Sequence, residues 1–257
     1  MTEPNENDPW TDDHLTAGVR IWQRKKGHRY SLDDVLTAHE ALAQRPKPRR
    51  YLDLGCGIGS VLLSVFEKAR PERAVGLEAQ DQSFAMVQKN AARNEFDIEL
   101  FQGDLRDPER RAALGGPFDL ITGTPPYAPP GTATPSPDSQ RAHARIEYRG
   151  GIEAYLEAAA ELLAEDGDFV VCAGGDPARV VAGAEGTSLV PHQRLDMVPR
   201  AGRGVLFHVW RFRAEPAELR VKSFVARDEA GERTQAYVDL RAFFGLPLPS
   251  QVSGGST

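Results

Sequence analysis

Residues 51–60, YLDLGCGIGS, constrain this chain more than any other stretch. A short apolar run (Tyr51, Leu52, Leu54) breaks into Gly55-Cys56-Gly57-Ile58-Gly59 and continues into an apolar segment of helical character over 61–68. That order predicts a strand, a glycine turn and a helix start. Gly55, Gly57 and Gly59 keep side chains away from a ligand lying across the turn. Glu78 closes the next apolar run, 74–77, where a carboxylate can take both hydroxyls of a ribose. The competing reading is a tight turn with no ligand.

From Tyr51 onward the pattern repeats at a spacing of roughly 25 residues, a strand alternating with a helix. Strand-like runs start at Tyr51, Ala74, Ile98 and Phe118, with helical segments over 60–68, 82–94 and 107–114 between them. Alternation of this kind predicts an α/β fold, a parallel sheet with helices on both faces. Ligands of such sheets sit at the carboxyl ends of the strands. Asp53, Glu78, Asp104 and Thr124 all fall at or just beyond those ends. Further along, 151–164 reads as a helix, 169–173 as a fifth strand and 176–184 as a helix. Residues 189–198 and 205–212 read as an antiparallel pair, 219–225 as another strand and 235–244 as a closing helix.

Two stretches break the rhythm. Residues 128–149 carry Pro129, Pro130, Pro135 and Pro137 with Gly131, which predicts a long loop over the strand ends, the usual place for a substrate lid. Its second half holds Arg141, His143 and Arg145. Ahead of the glycine turn, residues 19–23 read as a short strand, followed by the densest basic run, 24–29, with Arg24, Lys25 and Lys26. Such a run is either a solvated face or a phosphate-contacting surface. Ser31 then caps a helix through Ala43, with Asp33 and Asp34 in its first turn and Pro46 and Pro48 beyond its end.

A length of 257 residues is ample for one α/β core, and the composition is globular, with 40% hydrophobic and 26% charged residues. The net charge of -6 gives no general attraction to nucleic acid, so any RNA contact needs a local basic patch. Two cysteines, Cys56 and Cys172, form neither a disulfide framework nor a metal-ligand set and fit a reducing cytoplasm. His28, His39 and His143 are isolated, and no metal is expected.

Asp53-Leu54-Gly55-Cys56-Gly57-Ile58-Gly59 resembles the first motif of the Rossmann-like S-adenosylmethionine-dependent methyltransferases, and Thr124-Pro125-Pro126-Tyr127 resembles their amino-methylating (Asn/Asp/Ser)-Pro-Pro-(Tyr/Phe) motif. Nothing in dinucleotide oxidoreductases, which share the glycine pattern, accounts for a Pro-Pro-Tyr after the fourth strand. The flanks, residues 27–33 and 220–237, are similar to those of bacterial tRNA adenine-N6 methyltransferases that modify the valine tRNA anticodon loop. The likeness spans residues 22–246, with one departure: Thr124 stands where that family usually has Asn.

The resemblance implies a seven-stranded methyltransferase sheet over 51–213. A cap segment (14–50) precedes it and a strand–helix extension (214–245) follows, with a disordered arm over 1–13 and a disordered tail over 246–257. It implies that Thr124, Pro125, Pro126 and Tyr127 hold a planar amine, Tyr127 by stacking unless it is a turn aromatic packed on the core. It assigns the cofactor's amino group to Asp53, close backbone approach to Gly55, Gly57 and Gly59, the ribose to Glu78, the adenine amine to Asp104 and the methionine end to Tyr30 and Asp33. Asp104 as a helix cap and Asp33 as first-turn charge are the bland alternatives. A tRNA partner would meet Arg24, Lys25, Lys26, Arg141, Arg145, Arg200 and Arg203. The alternatives are a small heteroaromatic amine or a protein glutamine amide as acceptor, or a catalytically silent cofactor-binding scaffold. Glutamine-modifying relatives generally carry an N-terminal helical domain, and the short stretch before Tyr51 leaves no room for one.

Overall fold

The computed structural model describes residues 9–247. The predicted ends of the chain therefore lie partly outside the described residues, over 1–8 and 248–257. The chain alternates β3 (Arg50–Leu54), α2 (Ser60–Ala69), β4 (Arg73–Glu78), α3 (Asp81–Arg93), β5 (Glu99–Gln102), α4 (Pro108–Ala113) and β6 (Phe118–Gly123). It continues through α5 (Ser139–Arg145), α6 (Ile152–Leu162), β7 (Leu163–Ala173), α7 (Pro177–Ala184), β8 (Val190–Val198), β9 (Phe207–Arg213), β10 (Arg220–Val225) and α8 (Gln235–Phe243). Strands β3 to β10 form one sheet in the order β10-β8-β9-β7-β6-β3-β4-β5. Only β9 runs antiparallel to its neighbours. The expected core sheet of seven strands gains an eighth, because β10 pairs in parallel with the edge strand β8, Arg220 opposite Gln193.

The strands alternate faces as a doubly covered sheet requires. Tyr51, Ala74, Leu120, Val170 and Cys172 join the core under α1 (Leu32–Gln44), α2 and α8. Leu52, Leu54, Val75, Leu77, Ile121, Phe169 and Val171 pack into the opposite core, with α6 and α7.

The connection from β3 runs to β4 on one side, and the chain later returns to β6 on the other, so the order reverses between β3 and β6. This is the switch point at which the loops on the two sides splay apart and leave a crevice. Register aligns the strand ends there. Leu54 pairs with Leu77 on one side and Gly123 on the other, so Gly55, Glu78 and Thr124 leave the sheet at one level.

Two segments differ from the sequence reading. Trp10–His14, whose first four residues fall in the arm expected over 1–13, is a strand (β1) paired antiparallel with β2 (Arg20–Arg24). Asn90 fastens this hairpin to the glycine turn: its amide exchanges bonds with the Trp22 backbone at 2.8 and 3.1 Å and donates to the Ile58 carbonyl at 2.9 Å. The proline-rich lid also holds a helix, α5, capped by the Asp138 carboxylate, which accepts from the Arg141 N–H at 2.9 Å. No helix among the described residues is long and apolar enough to cross a membrane.

Candidate active site

A cavity opens at the switch point, walled by the glycine turn, Ser60, Glu78, Gln80, Asp104, Thr124, Pro126 and Tyr155, and also by His28, Asp34, His143 and Arg149. The turn is built from left-handed glycines, with φ of 62° at Gly55 and 57° at Gly57, a region that side chains other than glycine rarely adopt. A Cβ on Gly55 would collide with the Tyr155 hydroxyl, whereas one on Gly57 would meet nothing within 4 Å. Gly57 thus leaves an open cradle where a ligand can touch backbone.

Glu78 sits at the end of β4 with both oxygens oriented by backbone: Oε2 accepts from Gly57 N–H at 2.8 Å and Oε1 from Gln80 N–H at 2.7 Å. Burial pushes its carboxyl up, and these two bonds and the nearby Arg149 charge pull it back. Each oxygen keeps a lone pair for a ribose hydroxyl. Asp104 lines the same wall but is held by Arg106, which donates from Nε at 3.0 Å and Nη2 at 2.7 Å. Desolvation pushes the Asp104 carboxyl up, and the Arg106 bonds outweigh it, leaving the group below its ordinary value. The cap of α4 is Asp107, which accepts from Glu109 N–H at 3.0 Å, so Asp104 is not needed there.

Asp53 lies beneath the cavity, buried on the α1/α2 face of β3. Its Oδ1 accepts from Thr122 Oγ1 at 2.7 Å, while Oδ2 is buried without a hydrogen-bond partner. Burial raises its carboxyl to about 7 against the opposing Thr122 bond. The unfolded group titrates near pH ~4, so over the interval up to 7 the native state holds a proton that the unfolded state has lost. Native stability therefore falls as pH rises through this interval and stays low above it. Asp53→Asn, which has no proton to lose, is expected to raise Tm by about 5 °C or more at pH 8 and by little near pH 4. Thermal denaturation across that range checks it; a gain independent of pH excludes the charge as its cause.

The two adjacent acids of α1 take different partners. Asp33 turns to the Thr124–Tyr127 segment, its Oδ2 accepting from the Tyr127 hydroxyl at 3.1 Å. Asp34 instead enters the cavity wall, accepting from Ser60 Oγ and Ser31 N–H, both at 2.9 Å. Tyr30 lies outside the wall, its hydroxyl donating to the His14 carbonyl at 2.7 Å. Sequence reasoning treated Asp34 only as helix charge and left out Ser60, Gln80, Tyr155 and Arg149. Only the three-dimensional rotation of α1, α2 and α6 shows that they face one space.

Thr124 and Pro126 line the cavity, and the Thr124 hydroxyl has no hydrogen-bond partner among the described residues. Pro125 is buried between them. Tyr127 is not in the cavity wall among the described residues. Its ring lies against Gly174, where a Cβ would come within 2.8 Å of it, and its hydroxyl is 2.7 Å from Cys172 Sγ. Burial holds the phenol well above its ordinary pKa, so it stays a donor to Asp33.

The basic run is partly spent inside the protein. Arg24 pairs with Asp138 at 2.7 Å and bonds Gln140, which is fully buried and also bonds Ser83 and His28. Arg29 pairs with Asp13 at 2.9 Å. Arg141 donates to the Lys26 and Gly27 carbonyls, and Arg200 to the Glu229 carbonyl. These arginines fasten α5 and two loops. Lys25, Lys26, Arg145 and Arg203 are exposed.

Comparison with known proteins matches this arrangement. The family model described as the methyltransferase small domain covers residues 30–175. A release factor glutamine methyltransferase of Geobacter sulfurreducens is 34% identical over 98 residues, which are 38% of this chain and 33% of that protein. This chain thus spans about a third of that relative's length. A tRNA1(Val) (adenine(37)-N6)-methyltransferase of Bacteroides thetaiotaomicron is 28% identical over 189 residues, 71% of this chain and 75% of that protein. Among solved structures, a predicted O-methyltransferase of Agrobacterium tumefaciens superposes with a TM-score of 0.62 at 18% identity, over 84% of this chain and 98% of that one, a likeness of fold. With its family model spanning the glycine turn, Glu78 and Thr124–Tyr127 over more than half its length, this chain belongs to the methyltransferase small domain family.

Proposed function

We propose that the protein methylates the N6 amine of an adenine in tRNA, with S-adenosylmethionine as donor. The observation that carries this reading is the shared cavity. The glycine turn and Glu78, suited to an adenosine-bearing cofactor, open onto the same space as Thr124 and Pro126. The residues fit the cofactor: an open backbone cradle at Gly57, a ribose-directed carboxylate at Glu78 and uncompensated acid at Asp53. When bound, S-adenosylmethionine supplies an electrophilic methyl group on a sulfonium.

The chain's own task is to orient a weakly nucleophilic amine, whose lone pair is delocalised into the ring. Pro125 and Pro126 fix their own φ and push the residues before them to extended geometry. The Pro125 carbonyl and the Thr124 hydroxyl then form a rigid pair of acceptors for the two amine N–H groups. They stabilise the positive charge that develops on nitrogen without removing a proton first. The threonine hydroxyl accepts as a serine or the family's asparagine would, with a methyl beyond serine's that narrows its rotamers. The exposed Lys25, Arg145 and Arg203 are basic groups that RNA phosphates can reach.

The relatives support two acceptors. The tRNA-modifying relative aligns over 71% of this chain and 75% of its own length, the glutamine-modifying one over 38% and 33%. A glutamine amide is also planar and offers two N–H groups, so it is the second reading.

Tritium transfer from labelled S-adenosylmethionine into tRNA of cells lacking the gene, followed by nucleoside digestion, tests this. Label in N6-methyladenosine is expected, falling more than about tenfold from roughly 50 to 200 mM salt as phosphate contacts are screened. Label in release factor glutamine with none in RNA would replace the first reading by the second. No label in either, with cofactor bound, would leave a small heteroaromatic amine as acceptor or a silent scaffold.

A further inference from the structure

The cavity has two chemically distinct ends. Glu78 and Asp104 follow β4 and β5, and both feel the charge of Arg149. Asp34, Ser60 and Thr124 lie at the β3/β6 end. A cofactor whose adenosine occupies the first end must extend its amino-acid portion toward the second. Three acids gather there: Asp34 itself, Asp33 beside it on α1, and Asp53 beneath on β3 with one oxygen buried and unpartnered. Asp34 is 7% exposed, and its bonds are to a backbone N–H and a serine hydroxyl, with no basic side chain bonded to it among the described residues. His28, also in the wall, is pushed below its ordinary pKa by burial, so it adds no positive charge near neutrality. Ionising a buried carboxyl without a cationic partner is costly, and a ligand ammonium would offset that cost.

We propose that Asp34, and not its neighbour Asp33, is the carboxylate that receives the α-ammonium of the cofactor's methionine portion. This assignment rests on the cofactor reading above. Asp33 is committed elsewhere, since it accepts from Ser31 Oγ and from the Tyr127 hydroxyl and stands outside the cavity wall among the described residues. Asp34 is held in place by α1 itself. It is the third helical residue, its Oδ2 closing the capping box on Ser31 N–H, which leaves Oδ1 and Ser60 turned to the turn between β3 and α2. Burial, with Asp33 and Asp53 nearby, pushes the Asp34 carboxyl up, so an arriving cation stabilises its ionised form.

Calorimetric titration with two probes tests the assignment. S-adenosylhomocysteine carries the α-ammonium; 5′-methylthioadenosine carries the same adenosine end and no amino-acid portion. Asp34→Asn keeps the size of the side chain and an acceptor for Ser31 N–H. It is expected to weaken S-adenosylhomocysteine about 10–100-fold while changing methylthioadenosine by less than about twofold. Asp33→Asn should weaken S-adenosylhomocysteine far less. Equal losses for both probes would mean Asp34 only shapes the cavity, and an unchanged S-adenosylhomocysteine affinity would remove Asp34 from the site; either result overturns the proposal. If the unaltered protein binds neither probe, the cofactor reading falls with it.

Discussion

Glu78→Ala is expected to weaken S-adenosylmethionine binding by about 10²–10³-fold. Two effects add. Under the proposed cofactor reading, the carboxylate would make charge-assisted bonds to two ribose hydroxyls, each worth about 1.5–3 kcal/mol when buried, and a factor of ten in affinity is about 1.4 kcal/mol. The same oxygens hold Gly57 N–H and Gln80 N–H at 2.8 and 2.7 Å, so alanine also strips the turn of the group that fixes its open cradle. Glu78→Gln keeps one acceptor and the volume, and its loss should be about tenfold. Titration calorimetry with the cofactor measures both, with Tm as a check on folding. An alanine variant within threefold of the unaltered protein would show that Glu78 serves the turn alone. Removing this side chain also relieves a buried carboxyl that burial pushes up, so the alanine protein should not be less stable in proportion to its lost affinity.

What could be read from the sequence was what local signals specify. The strand–turn–helix at 50–69 shows in three glycines between apolar runs, and the strands β4, β5 and β6 in their spacing from it. Their parallel order follows from the helices between them. The pair β8 and β9 is legible because a glycine-rich turn joins two alternating runs. The misses are of another kind. Trp10–His14 has the sequence WTDDH, with no apolar alternation, and is a strand only because β2 pairs with it and Asn90 anchors that partner. Helix α5 hides among prolines and is stabilised by the Asp138 cap and by Gln140, whose partners Arg24 and His28 lie more than 100 residues earlier in the chain. Asp33 and Asp34 differ by about 100° around a helix, so which one faces the cavity is set by how α1 packs on the sheet, a quantity no local pattern contains. The same reason explains Arg24. Its charge is visible in sequence, but its partner Asp138 is brought to it by the fold.

Tyr127→Ala is expected to lower methyl transfer by about 10²–10³-fold while leaving S-adenosylhomocysteine affinity within about threefold. Thr124 and Pro126 line the cavity, where the acceptor is proposed to sit, and Tyr127 anchors the chain just beyond them. Its hydroxyl ties to Asp33 on α1 and meets Cys172 on β7, and its ring presses on Gly174. The Thr124–Pro125–Pro126 arc is therefore fixed by β6 on one side and by this aromatic latch on the other. Losing the latch lets the two acceptors drift from the amine, and a displacement near 1 Å is enough to cost about 10²-fold in rate. Should the ring also swing to the acceptor during the reaction, the base loses a stacking contact of about 1–3 kcal/mol, which adds to the same loss. Tyr127→Phe separates the two contributions. It keeps a ring able to stack and deletes only the hydroxyl's contacts to Asp33 and Cys172, so activity near that of the unaltered protein assigns the effect to the ring. A fall close to that of alanine assigns it to the hydroxyl latch. Because the residues proposed to hold the cofactor, Glu78, Asp104 and Asp34, line the cavity and Tyr127 does not, neither variant should move its affinity. An alanine protein with full activity would mean that Thr124 and the two prolines hold their geometry without help from Tyr127.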